Sequence, residues 1–225
     1  MERIIERVKS LREELSKGNG FGERVFLVAA TKMQTAENIN AAIAAGVDAV
    51  AENRVQEFRD KTESLLVCPQ HFIGHLQTNK VKYLVGKIAL FHSCDRYELA
   101  AEISRVSVLR GVVSDVLVQI NAGNEDTKGG FSLDEAHEAY AKIQQMPSIR
   151  VKGFMAMLPN SDDEGLLAAL ADEMRRIYDK ARSQDDQIEY LSMGMSGDYR
   201  LCIEHGSNMI RVGSTIFGER NYAKA

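Results

Sequence analysis

The chain has no tryptophan, three prolines and three cysteines, and only 7% of its 225 residues are aromatic. Cysteines at positions 68, 94 and 202 lie too far apart for paired Cys-x-x-Cys knuckles, and their odd number excludes a complete disulfide framework. That usage fits a reducing cytoplasm. No stretch rich in Pro, Gly or Ser marks a linker, so a single domain over residues 1–225 is expected. Positive charge is not in excess either. Lysine plus arginine number 28 against 32 aspartates and glutamates, a formal charge of -4, and such a surface has no general field to hold nucleic acid or anionic lipid. Long apolar runs are missing as well. The richest, AAIAAGVDAVA, is broken by Gly46 and Asp48 well short of a membrane span, and the opening MERIIERVKSLREEL is charged throughout and lacks the apolar centre of a leader peptide. A soluble, unprocessed cytoplasmic protein is expected, with no nucleic-acid or membrane partner.

What is present is regular. Hydrophobic residues make up 44% of the chain and charged residues 27%, the balance of a protein that folds on an apolar core. Ile4, Ile5, Val8, Leu11 and Leu15 fall on one helical face, predicting an amphipathic helix at about 2–17. Eight short apolar runs follow: VFLVAA (25–30), VDAVAEN (47–53), HFIGH (71–75), IALFHS (88–93), DVLVQIN (115–121), IRVKGFMAM (149–157), IEYLSMG (188–194) and NMIRVG (208–213). Runs of this kind suit strands buried on both faces, with helices between them. Gly46, Gly86, Gly111 and Gly206 stand where those helices must stop, and Asp95…Glu98, Ser132…Glu135 and Ser161…Glu164 have capping-box spacing at helix starts. Eight βα units in a chain of this length predict a closed (β/α)8 barrel of the TIM type. A doubly wound open sheet is the alternative, because strand periodicity does not show whether a sheet closes.

In such a barrel the chemistry lies at the C-terminal ends of the strands. Residues expected there are Lys32 after the first run, Asn53 after the second, His75 after the third, Asn121 after the fifth, Met193 to Ser196 after the seventh, and Arg211 to Thr215 at the eighth. Lys32 follows six apolar residues and Thr31, where partial desolvation would favour a neutral, nucleophilic amine. A lysine just past a strand is also commonly a solvated loop residue. SMGMSGD (192–198) and RVGSTIFG (211–218) both read as strand-to-helix turns in which Gly, Ser and backbone amides can cradle a phosphate, though βα turns use the same residues for geometry alone.

Cys68, His71 and His75 have a metal-like spacing, but an extended 71–75 would separate the two histidines by about 13 Å, too far to share one ion. No metal site is expected. Asp162, Asp163 and Glu164 read as an acidic first helical turn, Met155, Met157 and Met174 as core, and Lys80 and Lys128 as solvated residues, in loops that could also face the mouth.

AATK around Lys32, ENRVQE (52–57), HFIGHLQTNK (71–80), LSMGMSGD (191–198) and GSNMIRVGSTIFGER (206–220) together resemble the pyridoxal phosphate homeostasis family, in order and over nearly the whole chain. Ala51, where the family commonly has glycine, and the short loop MLPN (157–160) depart from its pattern. The resemblance implies a barrel like the N-terminal domain of alanine racemase, holding pyridoxal 5′-phosphate (PLP) as a covalent aldimine on Lys32. It implies Ser196, Gly213 and Ser214 as phosphate ligands, with neighbouring Met195 in the same turn. Arg211 would face the pyridine nitrogen, with Asn53 and His75 lining the pocket. It further implies a PLP carrier or buffer in vitamin B6 homeostasis, expected as a monomer, whose partners are PLP and apo PLP-dependent enzymes. Two arguments favour binding over turnover. The racemase takes its opposing tyrosine from a second domain, which a chain ending at Ala225 is expected to lack. A guanidinium also does not readily share its proton with the ring nitrogen, which leaves a weak electron sink. A small PLP-dependent racemase or lyase is the alternative, and a phosphosugar-type barrel enzyme without PLP a third.

Overall fold

The structure is a computed structural model that describes residues 1–125 and 128–218. Glu219 and Arg220, which end the last of the quoted motifs, and the stretch to residue 225 lie outside the described residues.

Each of the eight apolar runs overlaps a strand: β1 (Phe26–Ala30), β2 (Ala49–Glu52), β3 (Gln70–Phe72), β4 (Leu90–Cys94), β5 (Ser114–Ile120), β6 (Ile149–Ala156), β7 (Tyr190–Ser192) and β8 (Met209–Val212). All neighbours pair in parallel, and β8 pairs back onto β1 from Phe26↔Met209 to Ala29↔Val212, so the sheet is a closed barrel. Side chains alternate along each strand as the pleat requires. Phe26 and Val28 point inward to a small cluster with Ala49, Ala51, Leu90, Leu117, Met155 and Met209, whereas Leu27 and Ala29 pack outward with Ile39, Ile210 and Val212.

The helices are α1 (Glu2–Leu15), α2 (Ala36–Ala44), α3 (Val55–Lys61), α4 (Tyr97–Arg110), α5 (Ala136–Gln144), α6 (Glu164–Arg182), α7 (Tyr199–Glu204) and α8 (Ser214–Phe217). The outer ring is uneven at two places. Where a helix should follow β3 there is only a 3-10 stretch, Thr78–Tyr83, and α8 has four residues. The second gap is covered by α1, whose Ile4, Val8, Leu11 and Leu15 are buried in the cluster that also holds Ile39 of α2 and Ile216 of α8. Asp48 fixes α1 to the barrel by accepting from Arg12 at 2.7 Å and from the Leu27 amide at 2.8 Å.

Gly46, Gly86, Gly111 and Gly206 all have positive φ, as expected of helix stops. The expected starts fare less evenly. Ser132 and Glu135 do exchange reciprocal hydrogen bonds, one turn ahead of α5. Asp95 is no cap: α4 begins at Tyr97, and the Asp95 carboxylate is drawn instead to His75 and Arg96. At α6 the cap is Asp163, whose carboxylate accepts from the Leu166 amide at 3.0 Å, so the start lies two residues later than the Ser161 spacing suggests. Met155 and Met174 are core, but Met157, beyond the end of β6, is only half-buried and reaches the rim.

The longest ladder, β5 with β6, shifts register between Val116 and Leu117. Opposite that shift, Gly153 has φ 142° and a Cβ there would overlap the Tyr190 carbonyl. Gly153→Ala should therefore cost about 3 kcal/mol or more in urea unfolding, since both backbone strain and overpacking oppose it. Gly46→Ala, strained at φ 103° but with open space around the new methyl, should cost about 1–2 kcal/mol. Equal losses at the two sites would contradict the packing of β6 on β7.

Candidate functional site

β1 ends at Ala30, and Thr31 prolongs its pairing by donating its amide to the Ala51 carbonyl at 2.9 Å, with its hydroxyl 3.0 Å from the same oxygen. Lys32 is thereby the first residue past the rim. Its neighbour Met33 takes φ 62°, an uncommon conformation for a residue with a side chain, and its amide donates to Glu57 Oε2 at 2.7 Å. Glu57 also accepts from Lys61 at 2.7 Å, and Lys61 donates to Glu52 at 2.9 Å, which accepts from the Thr31 hydroxyl at 2.7 Å. Burial pushes the Glu52 carboxyl up against the opposing pull of Lys61 and Thr31, and its second oxygen is buried without a partner. Burial is the largest single influence on Glu57 and Lys61 and opposes the ionisation of both, but their hydrogen bonds and neighbouring charges together outweigh it, lowering Glu57 and raising Lys61. This network grips the backbone on both sides of Lys32 and leaves its side chain half-buried.

The two glycine-serine turns are tied to each other. After β7, Gly194 has φ 98° and packs so closely on Tyr199 that a Cβ would sit 2.8 Å from its Cα. Its carbonyl accepts from the Arg211 amide at 2.9 Å. The following turn is closed by Asp198, which accepts from the Met195 amide at 2.6 Å. Ser196 Oγ then reaches across to accept from the amides of Gly213 and Thr215, at 3.2 and 3.3 Å, which start α8. Gly213 has φ -119°, open to any residue, and a Cβ there would make only ordinary contact with Ala30, 3.4 Å from its carbonyl oxygen; at Gly197 a Cβ would meet nothing within 4 Å. Room beside both turns is therefore kept clear of side chain.

Arg211 projects from β8 into the barrel and is 4% exposed. It donates to Ser192 O at 2.8 Å, Ser192 Oγ at 2.6 Å and Ala156 O at 2.9 Å, three of the five donors its guanidinium carries. No carboxylate bonds to it among the described residues. Burial pulls it down to about 10, so it remains a cation at neutral pH. Because arginine only donates, Ser192 must turn its own hydrogen to His92 Nδ1 at 3.2 Å. His92 then carries its hydrogen on Nε2 and gives it to His71 Nδ1 at 3.0 Å. Both rings are neutral: burial lowers His71 to about 4, and His92 falls well below its ordinary range through burial and the nearby His71 and Arg211. His71 also lines a cavity of about 380 Å³ at the opposite end of the barrel.

Lys32, Asn53, Met195, Ser196, Arg211, Gly213 and Ser214 come together around one pocket of about 300 Å³, with Ala30, Ile73, Met157 and Gly197 completing its wall. His75 does not join them. Gly74 packs against the Asn53 carbonyl so tightly that a Cβ would overlap it, and the chain turns outward there; His75 bonds Asp95 at 3.0 Å and lines a neighbouring cleft. Among the described residues no group of His, Cys, Asp and Glu could hold a metal. Lys128, expected in solvent, is partly buried and donates to the Leu158 carbonyl at 3.0 Å. Sequence reading gave no role to Glu52, Glu57 and Lys61, although the first two bound the motif ENRVQE and the last two have helical spacing, and it took His71 for an ordinary strand-start residue.

The family profile described as alanine racemase, N-terminal domain, matches residues 2–221. The pyridoxal phosphate homeostasis protein of Aquifex aeolicus is 38% identical over 99% of this chain and 97% of its own length. The chain belongs to the pyridoxal phosphate homeostasis family. The protein of that name from Vibrio cholerae is 30% identical over 100% of this chain and 96% of its own. Among solved structures, PipY of Synechococcus elongatus without PLP superposes with a TM-score of 0.85 at 30% identity, covering 96% of this chain and 100% of that one. PipY has also been solved with PLP bound, at a TM-score of 0.82 and 29% identity over the same shares. An alanine racemase from Clostridium difficile shares the fold, at a TM-score of 0.79 and 16% identity, and this chain spans 60% of it.

The neutral histidines have a measurable consequence. Between pH 6.5 and about 4 the unfolded chain binds a proton at His71 that the folded chain does not, so stability is complete above that window and falls as the pH drops through it. Each such histidine contributes a slope of up to about 1.4 kcal/mol per pH unit. Urea unfolding followed from pH 7 to 5 should show a shallower decline in a His71→Asn variant than in the wild type. A steeper decline in the variant would mean that His71 is charged in the fold.

Proposed function

We propose that the chain is a PLP-binding protein that holds and releases the cofactor in intracellular vitamin B6 homeostasis, without a turnover reaction of its own. The observation that carries this reading is the pocket itself. One half-buried amine, one buried guanidinium with donors to spare and two facing turns kept clear of side chain are the donor set for an aldehyde, a pyridine nitrogen and a phosphate. The names of the relatives and the PLP in the solved PipY support it.

In this reading PLP supplies a reactive aldehyde and a pyridine ring. Lys32 holds the aldehyde carbon covalently, Arg211 donates toward the ring nitrogen, and Ser196, Gly213 and Ser214 take the phosphate, with Asn53 and Met195 bounding the space. His75 stands outside that shell. A cationic arginine at the ring nitrogen keeps it unprotonated, which holds the cofactor without activating it. A monomer is the state this reading assigns, and three free cysteines suit a cytoplasmic location. No helix among the described residues is long and apolar enough to cross a membrane.

Borohydride reduction of the PLP-loaded protein, followed by peptide mass mapping, should find the phosphopyridoxyl group on Lys32. Recovery mainly on Lys80 or Lys128 would sink that assignment. Loaded protein given a panel of L- and D-amino acids should show no sustained racemisation or decarboxylation, and repeated turnovers that vanish in Lys32→Ala would favour the racemase or lyase alternative.

The phosphate turns are tested separately. Hydrogen bonds to a charged group contribute roughly 1.5–3 kcal/mol, so Ser214→Ala should weaken PLP binding about tenfold. Gly213→Val should weaken it further, because its backbone tolerates a side chain while the added methyls fill the space beside the amides. Pyridoxal without phosphate should bind the wild type far less tightly than PLP. Equal affinity for the two would show that these turns hold no phosphate.

A further inference from the structure

The gap in the helical ring after β3 opens a second cleft, of about 350 Å³, between α3 and the 3-10 stretch Thr78–Tyr83. Its floor includes Val55, Phe72 and Leu76, and Asn53 lines both this cleft and the candidate PLP pocket, so an occupant would lie at the pocket's mouth. Arg54, Arg59 and Lys80 line it, and Lys82 stands beside it. The Arg59 guanidinium and the Lys80 and Lys82 ammonium groups lie 4.8, 5.9 and 5.3 Å from the centre of the Tyr83 ring.

None of these four cations forms an ion pair among the described residues. The nearby acids are engaged elsewhere: Glu57 with Lys61, Asp60 with Gln56, and Asp95 with His75 and Arg96. In a chain of net charge -4 this is a local concentration of unneutralised positive charge around a partly apolar groove. An aromatic face compensates part of the repulsion among such neighbours, and an anion would compensate the rest.

We propose that this cleft docks an acidic polypeptide segment of an acceptor protein, which brings that protein to the mouth of the PLP pocket. The proposal rests on the PLP-binding reading above. Two features favour a polypeptide over a small anion. The four charges are spread along two chain segments, so one phosphate dianion would neutralise only half of them, whereas successive carboxylates neutralise all. The cleft also lies where a 3-10 stretch stands in place of the helix after β3, and it is lined from two separate chain segments, 53–59 and 72–83, a span suited to an extended ligand. Charge-led docking of this kind gives fast, reversible encounters, as suits a protein that hands on its cargo.

The probe is a fluorescently labelled peptide of six glutamates, followed by anisotropy against the PLP-loaded wild type at low salt. It should bind saturably, weaken as salt is raised, and lose affinity at least tenfold in both Arg59→Glu/Lys80→Glu and the milder Arg59→Gln/Lys80→Gln. Arg176→Glu/Lys180→Glu, a charge change of the same size on α6, should leave binding unchanged. PLP loading, read from the absorbance spectrum, should be the same in all variants. Absence of peptide binding, equal loss in the α6 variant, or full displacement by an equimolar amount of inorganic phosphate would each overturn the proposal. Loss of PLP loading in the Arg59/Lys80 variants would also overturn it, by making the cleft part of the cofactor pocket. If the wild type takes up no PLP, the PLP-binding reading fails, while the peptide titration still reports on the cleft.

Discussion

A guanidinium buried in a barrel interior, bonded to no carboxylate among the described residues, is the constraint around which this structure is arranged. Desolvating such a charge costs several kcal/mol even after relaxation, and here hydrogen bonds to two carbonyls and one hydroxyl meet that cost. Because arginine can only donate, the direction of every hydrogen bond beyond Ser192 follows from it. The two histidines are held as single neutral tautomers, and the apolar cluster of Val28, Ala49, Leu117 and Met209 surrounds a polar thread. The upper barrel thus presents fixed positive charge to the rim, and the histidines below stay neutral beside it at neutral pH.

Lys32 is held by the opposite device. Where Arg211 is fixed through its side chain, Lys32 is fixed through its backbone, by the Thr31 pairing on one side and the Met33–Glu57 bond on the other. Its side chain keeps its freedom. A group that must form and release a covalent link benefits from such an anchorage, since the amine can swing without the loop having to rearrange. The orphaned oxygen of Glu52 indicates that this frame carries some cost, tolerated where a lysine must be placed and not merely packed.

How far the sequence foretold this depended on whether the deciding forces were local. Apolar runs of five to nine residues marked all eight strands, because burial on both faces leaves that pattern whatever the tertiary arrangement. Closure of the sheet was not visible, since it depends on β8 meeting β1 some 180 residues apart. Capping boxes failed at Asp95 and shifted at Ser161 because a nearby side chain or a better-placed carboxylate took the partner that spacing alone assigned. The pocket residues could be collected as strand ends, whereas the frame of Glu52, Glu57 and Lys61 could not. Glu52 closes β2 while Glu57 and Lys61 lie along α3, and only folding brings them together beside Lys32. His75 shows the limit from the other side: it follows a strand as Lys32 and Asn53 do, but a glycine before it turns the chain away.

The barrel is not equally welded all round. β5 and β6 pair along their whole length, whereas β7 and β8 share a single register pair, Ser192↔Met209. Side chains mend that seam: Asn208 Oδ1 accepts from the Leu191 amide at 2.8 Å, and the Ser207 hydroxyl lies within hydrogen-bonding reach of the carbonyls of Leu191, Met193 and Met209. The two glycine-serine turns hang from the strands on either side of it, joined to each other through Ser196. An anion seated between them would act as a clasp across the least-laced joint of the cylinder. Filling the pocket and closing the fold would then be one event, and the empty protein would breathe first at the place where its cargo enters.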